Sequence, residues 1–389
     1  MKKFKSLREA YAIPTLLYCF IIVLLISIQG CKKDIHEPAV EEVAVGDEVS
    51  SDQVGLPQKF VRKGASIQAA VDAAIGATVI YIEPGIYKEE ITVAKPGIQL
   101  IGLRLFNREV IIENPGEADN GITVTDPGDG FVLKNVTVQN FKENGVFLIR
   151  ADNFLLEHVK AINNGEYGLF PILCNKGVIK FCSATGHTDT GIYVGQSTNI
   201  GIHLSEAFAN VAGFEIENCT NVVATFNRAY NNTGGFLVFL LPGLRVKTSS
   251  NITVTNNDIS NNNHVNFAPP GGGFETFIPS GSGILLVGAD NTTIKDNIIK
   301  GNNFVGIATV STLVLGALAG IPPEDLADIE PNPDGARIYR NLVIKNGAVP
   351  PPGLPLPAAD LLWDGSGTNN CWKNNLFSVA YPVGLPACN

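Results

Sequence analysis

The chain holds one methionine, its first residue, among 389, against forty glycines. That balance suits turns and short strands better than long helices. There is no CxxC pair and no His/Cys grouping with ligand spacing, so neither a structural zinc nor a dithiol redox centre is expected. A phosphate-cradling glycine loop, a GxGxxG after a strand and an HExxH are all missing, which leaves no sequence basis for a cofactor or a metal. Basic residues are also scarce. The formal net charge is −9, and residues 31–389 carry 24 Lys and Arg against 36 Asp and Glu, or −12. A body this acidic lacks the clustered cations that grip a phosphate backbone, which excludes nucleic acid as the expected partner.

One long apolar run is present, and it lies at the start. Lys2, Lys3, Lys5 and Arg8 precede Leu16 to Ile28, and Ile28-Gln29-Gly30-Cys31 follows. Counted from Ile13 to Ile28 the run is about 16 residues with Pro14 inside, short for a membrane span. The segment resembles the bacterial lipoprotein signal, with Gln29 departing from its usual small or apolar residue. The resemblance implies a signal peptide over 1–30, lipidation of Cys31, and an envelope location at the outer membrane or cell surface. An uncleaved anchor is the alternative. Residues 31–58 are acidic and lack aromatics, so they read as a solvated tether.

From Phe131 to about Thr312 one unit recurs every 22–24 residues. A glycine column runs Gly145, Gly168, Gly191, Gly213, Gly235, Gly283 and Gly306, mostly followed by apolar-x-apolar. A second column runs Val136, Val159, Cys182, Ser205, Asn227, Asn257, Asn297 and Asn341 between apolar flanks. Two long gaps, Asn227 to Asn257 and Asn257 to Asn297, each hold one rung plus an insertion. Short alternating strands broken by Asn/Gly turns, repeated at fixed period, describe coils that bury their apolar faces only by stacking. The fold class is therefore all-β, a single parallel β-solenoid over 59–348 with roughly a dozen coils. Asn side chains at its bends would satisfy backbone groups and stack on one another. Ile67, Ala70, Val71, Ala74 and Ile75 share one face of a short helix before the first strand, placed to cap the open end. Residues 349–389, Pro-rich and then holding Trp363 and Trp372, read as connector and second cap. Cys371 and Cys388 bracket that end and can pair, a cross-link worth about 3 kcal/mol. A monomer is expected.

The opening helix, the strands from Thr78 and the Asn/Gly rungs resemble the pectate-lyase-like superfamily of right-handed parallel β-helices over about residues 60–350. Residues 186–283, with Gly186-His187-Thr188-Asp189, Gly213-Phe214-Glu215-Ile216-Glu217 and Asn266-Phe267-Ala268-Pro269, resemble a family of exported β-helix repeat proteins often paired with a second exported protein. That family has no established activity, so the resemblance implies a fold and a compartment rather than a reaction.

Fixing the columns places outward residues side by side. One outer row reads Lys134, Glu157, Lys180, His203, and another Glu206, Arg228, Asp258, alternations that cross-strand pairing favours. The strand after the glycine column differs. Two residues past each glycine stand Phe147, Phe170, Tyr193, Glu215, Leu237 and Leu285; four past stand Ile149, Ile172, Gly195, Glu217, Phe239 and Val287. A face this apolar is covered or binds something. Insertions 240–248 and 264–282, with Leu241, Leu244, Phe267, Phe274 and Phe277, can fold over it. Glu215 and Glu217 are its only acids, ~6.5–7 Å apart along the strand, a separation suited to acid/base work on a glycosidic bond. Tyr193 and Gln196 lie on the preceding rung. His187 and Asp189 are expected to protrude at a turn beside Asn210; Asn232, His264 and Phe267 complete the ligand-facing candidates. Three functions fit: binding a polysaccharide or an envelope protein, polysaccharide lyase, hydrolase or epimerase chemistry at Glu215 and Glu217, or a scaffold.

Overall fold

The computed structural model describes residues 55–104, 108–353 and 356–389. The leader, Cys31 and most of the tether lie outside these residues. The described chain winds as a parallel β-helix. Its three sheets contain 12, 10 and 11 strands, and every named strand pairing is parallel. The 12-stranded sheet A runs from Gln58–Val61 to Cys371–Lys373. The 10-stranded sheet B runs from Gly85–Lys88 to Leu342–Ile344. The 11-stranded sheet C runs from Ile91–Val93 to Ala380–Tyr381. A typical coil uses Asn175–Lys180 in A, Ser183–Thr185 in B and Thr190–Gly195 in C before the next begins at Thr198.

Period-2 alternation sends one set of side chains inward, and these stack rung on rung into a single core from Val61 to Trp372. The bends between sheets hold the polar groups. At the A-to-B bend the backbone amide of each rung donates to the side chain of the next: Cys182 N to Ser205 Oγ at 3.1 Å, Ser205 N to Asn227 Oδ1 at 3.0 Å, Asn227 N to Asn257 Oδ1 at 2.8 Å. The ladder continues through Asn297 and Asn341 to Asn375. Each Asn also returns its Nδ2 to a backbone carbonyl, as Asn257 does to Ala224 O at 3.1 Å. Buried bend amides are thereby satisfied, which is the physical reason for that column.

A second ladder stands at the B-to-C turn: Asn164, His187, Asn210, Asn232, Asn262, Asn302 and Asn346, ending on Asp360. It explains the glycine column. A Cβ on Gly213 would lie 2.6 Å from Gly235 O and 2.9 Å from Asn232 Nδ2, so the ladder amide occupies that space.

Several expectations are corrected. The helix α1 (Ile67–Asp72) follows the first strand rather than preceding it, and stops at Ala73. Ile75 therefore lies past its end, exposed, while Ile67 and Val71 are buried. Within residues 349–389, expected as connector and cap, Ala359–Trp363, Cys371–Lys373 and Ala380–Tyr381 extend sheets C and A. Cys371 and Cys388 are disulfide-bonded across that last turn of chain. Cys174 and Cys219 are free, buried thiols on either side of Ser197 in a third bend ladder, Cys174 N donating to Ser197 Oγ and Ser197 N to Cys219 Sγ.

Candidate functional site

Sheet C carries the site because its outward face is roofed. The register places Phe147 beside Phe170, Tyr193 beside Glu215, and Glu215 beside Leu237, with Leu285 next. Four residues past the glycines, Ile172, Gly195, Glu217, Phe239 and Val287 adjoin in turn. On Asn144–Ile149 and Tyr167–Ile172 the outward side chains stay partly exposed. From Thr190–Gly195 to Val305–Val310 every residue of each sheet C strand is buried. Something covers them.

The cover is a second hydrophobic cluster of Leu237, Phe239, Leu285, Val287, Ala308 and Val310 from the sheet with Leu241, Ile278 and Leu315 from the insertions. Of the proposed roof residues, Leu241, Leu244 and Phe274 join it, whereas Phe277 is exposed and Phe267 is outside it. Helix α2 (Thr312–Ala319) supplies Leu315, a contribution the sequence reading left out. Polar ties hold the roof down. Asn218, next to Glu217, donates Nδ2 to Leu241 O at 2.8 Å and Val246 O at 2.6 Å and accepts from Leu241 N at 2.7 Å. Gln196 Oε1 accepts from Arg245 N and Val246 N, and Thr312 Oγ1 donates to Leu240 O. Lys247 and Asp328 form an ion pair that joins the two outer insertions.

Where the roof parts, a cavity of about 310 Å³ remains. One wall is aromatic. Tyr167 stacks on Phe170 with centroids 4.3 Å apart, and Tyr193 meets both edge-on at 5.1 and 4.8 Å. Asp189, Glu215 and Glu217 line the floor, while Gln196, Leu241, Phe274 and Glu275 come from the rim and roof. No Lys, Arg or His is among the described residues lining it.

The carboxyls are coupled through short contacts. Thr190 Oγ1 lies 3.0 Å from Asp189 Oδ1 and 2.7 Å from Glu215 Oε2. A hydroxyl has one proton to donate, so both contacts are satisfied when one of the two carboxyls keeps its own proton and donates it to Thr190, which donates to the other. Burial, then the Asp189 and Glu217 charges, hold Glu215 well above the usual carboxylate range. Burial pushes Asp189 up to about 7 despite a hydrogen bond from Tyr167. Glu217 is likewise pushed up to about 7 by burial, opposed by a hydrogen bond from Tyr193. Gly195 keeps room for that contact, since a Cβ there would overlap the Tyr193 hydroxyl and ring.

Of the other candidates, the structure withdraws three. His187 does not protrude: it is wholly buried, its Nδ1 3.0 Å from Asn164 O and its Nε2 3.2 Å from Ala161 O, and burial lowers its pKa to about 4. Asn210 and Asn232 are rungs of the same interior ladder. These residues build the wall behind the site and cannot face a ligand. His264 is exposed and meets Phe267 edge-on at 4.9 Å in the 261–281 insertion, and neither lines the cavity. Tyr167 and Glu275 line the cavity without having stood out in the sequence; the signal for Tyr167 was available. Tyr167 lies just before glycine-column Gly168 and two rungs from Glu215, so the same alignment contains it. The fold also gathers Asp290, Glu330 and Asp334, whose ligating atoms lie within 4.8 Å of one another. Their oxygens already accept from the backbone amides of Asp334, Asn332 and Thr368.

A right-handed solenoid with a roofed, carboxyl-lined cavity on one sheet is thus the class of protein the geometry defines. Residues 120–242 and 240–315 match the right handed beta helix region, and the chain belongs to that family. No curated protein matches it by sequence. Among solved structures, it is similar to the A-module of the Azotobacter vinelandii mannuronan C-5 epimerase AlgE6, at 18% identity over 80% of this chain and 83% of that one, TM-score 0.52. The AlgE4 A-module of the same organism matches at 19% identity over 84% and 93%, TM-score 0.52. A periplasmic alginate epimerase, AlgG, matches at 12% over 82% and 84%, TM-score 0.50. Likeness at these identities speaks for the fold.

Proposed function

We propose that the protein takes up a saccharide in the sheet C cavity while held at the cell envelope by a lipid on Cys31. The observation that carries this reading is the pairing of an aromatic wall, Tyr167, Phe170 and Tyr193, with hydrogen-bonding carboxyls in a concave site. Sugar C–H faces pack on rings, and carboxyls bond hydroxyls, so such a pocket needs few additional groups for orientation. A protein partner would call for a broad exposed apolar patch, and here the apolar strip is largely consumed by the roof. The fold shared with proteins named as mannuronan and alginate epimerases supports a carbohydrate ligand by analogy.

A second reading, catalysis, is favoured by the protonation pattern. Glu215 retains a proton while Asp189 and Glu217 titrate near 7, which supplies an acid and a base at neutral pH. Products from a polysaccharide panel, measured as reducing ends, unsaturated ends or changed sugar configuration, test it with Glu215→Gln and Glu217→Gln. Activity lost in both supports acid/base roles, and activity surviving both removes them. Saccharide retention with no turnover leaves the binding reading. Cys31→Ser is expected to move the protein from the detergent phase to the aqueous phase in a detergent partition. Unchanged partition overturns the anchor.

A further inference from the structure

Building on the saccharide reading, we infer that the cavity selects a sugar carrying a free, protonated amino group and rejects uronates. The first observation is the charge of the lining. Asp189, Glu215 and Glu217 form the floor, Glu275 sits at the rim, and no cation among the described residues faces them. A uronate would add a carboxylate to this set in a poorly solvated space, where like charges repel strongly. An ammonium would supply the counter-charge that the fold omits.

The second observation is independent of charge. Tyr167, Phe170, Tyr193 and Phe274 wall the same space, and a cation held over such rings gains attraction from their π faces. Acidic floor and aromatic wall together match a cationic sugar better than a neutral one. A bare divalent ion fits less well. It needs several oxygens converging on one point, and among the described residues the acidic group that converges closely is Asp290, Glu330 and Asp334, not the cavity trio.

The protonation states give the inference a pH signature. Asp189 and Glu217 titrate near 7, so a bound ammonium draws protons off them. The groups facing them are Tyr167 and Thr190 at Asp189, Tyr193 at Glu217, Glu275 above, and the Cys219 thiol behind, itself pushed up to about 12 by burial. All are neutral or acidic. While the sugar's amino group stays protonated, affinity should therefore rise with pH from 5 upward, with net proton release.

The test is calorimetric titration of the full chain in detergent with four probes: a glucosamine oligomer, its N-acetylated form, a glucose oligomer and a mannuronate oligomer. The amino form is expected to bind about tenfold or more tightly than the N-acetylated and neutral forms. Its heat should depend on the buffer's ionisation enthalpy, and Glu217→Gln, which removes one of the two titrating carboxyls, should weaken that dependence while leaving the melting curve cooperative. Equal or better binding of the neutral or mannuronate oligomer overturns the amino-sugar inference and leaves the saccharide reading standing. No binding of any probe overturns both. Calcium alone competing for the cavity, with the competition lost in Glu217→Gln, also overturns the inference.

Discussion

At the scale of single residues the fold rests on side chains that behave as backbone. Asn257 accepts from Asn227 N and Nδ2 and donates to Ala224 O and Asn297 Oδ1, so four polar groups on three neighbours depend on it. Asn257→Ala leaves buried amides unpaired and is expected to cost about 3 kcal/mol, read as a lower urea midpoint. That ladder was legible because Asn between apolar flanks stands out against the strand pattern. The second ladder was present too, always five residues on, as Cys182 to His187, Ser205 to Asn210 and Asn257 to Asn262. In the sequence it is indistinguishable from turn punctuation, because Asn is also the usual turn residue, and a histidine in an asparagine's place gives no sign that its ring fills an interior rung. A different row shows a local backbone cost, offset at Phe181 by stacking on His158. The left-handed bend position is Asn at 135, 256 and 374, but Phe181, Leu204 and Phe226 occupy it on consecutive rungs. Phe226, 57% exposed with φ 57°, meets the steric penalty that asparagine avoids. Phe226→Asn is expected to raise stability by about 0.5–1 kcal/mol in the same urea assay; a loss of that size would show that the ring packs against its row.

At the scale of elements, the roof decides whether sheet C is a surface or a site. Its existence was legible from insertions facing an apolar row, but its composition was not. Residues 313–336 are rich in Pro, Ala and Gly, yet Ser311 caps the first turn of α2 by accepting from Leu313 N, and Gly320 ends it at φ 68°. Those two residues were the available signal. They were easily passed over because Thr312–Ala319 has no polar face and so no helical periodicity. Leu315 joins α2 to the cluster over Leu237, Phe239 and Leu285. Leu315→Ala is expected to cost the roof about 2–4 kcal/mol, a cost borne locally because the sheets pair without α2. Hydrogen exchange should quicken in residues 240–248 and 312–320 while bend-ladder amides such as Asn227 N stay protected. Equal acceleration of both would mean that roof and solenoid unfold as one unit.

At the scale of the whole molecule, charge placement sets how stability responds to pH. Exposed pairs act in the usual direction. The bond from Lys160 holds Glu109 low and that from Arg340 holds Asp296 low, so their stabilisation is present at neutral pH and lost only in acid. The cavity trio acts oppositely. Glu217 is raised from 4.5 to about 7 and Asp189 from 3.8 to about 7, each mainly by burial, and burial also holds Glu215 well above the usual carboxylate range. Between pH 5 and 7 the folded state thus binds more protons than the unfolded chain. The slope of unfolding free energy with pH follows the unfolded-minus-folded proton count, so it is negative here, and stability falls as pH rises through this window. Each such group contributes on the order of 1 kcal/mol per pH unit across the interval. The apo protein is expected to melt higher at pH 5 than at pH 8, contrary to the trend its surface pairs alone would give. Glu217→Gln removes one titration without removing volume, so its melting temperature should vary less between those pH values and exceed the wild type's at pH 8. A wild-type curve flat or rising from pH 5 to 8, or a Glu217→Gln curve parallel to it, would show that the buried carboxyls are already neutralised by something the cavity lining does not contain.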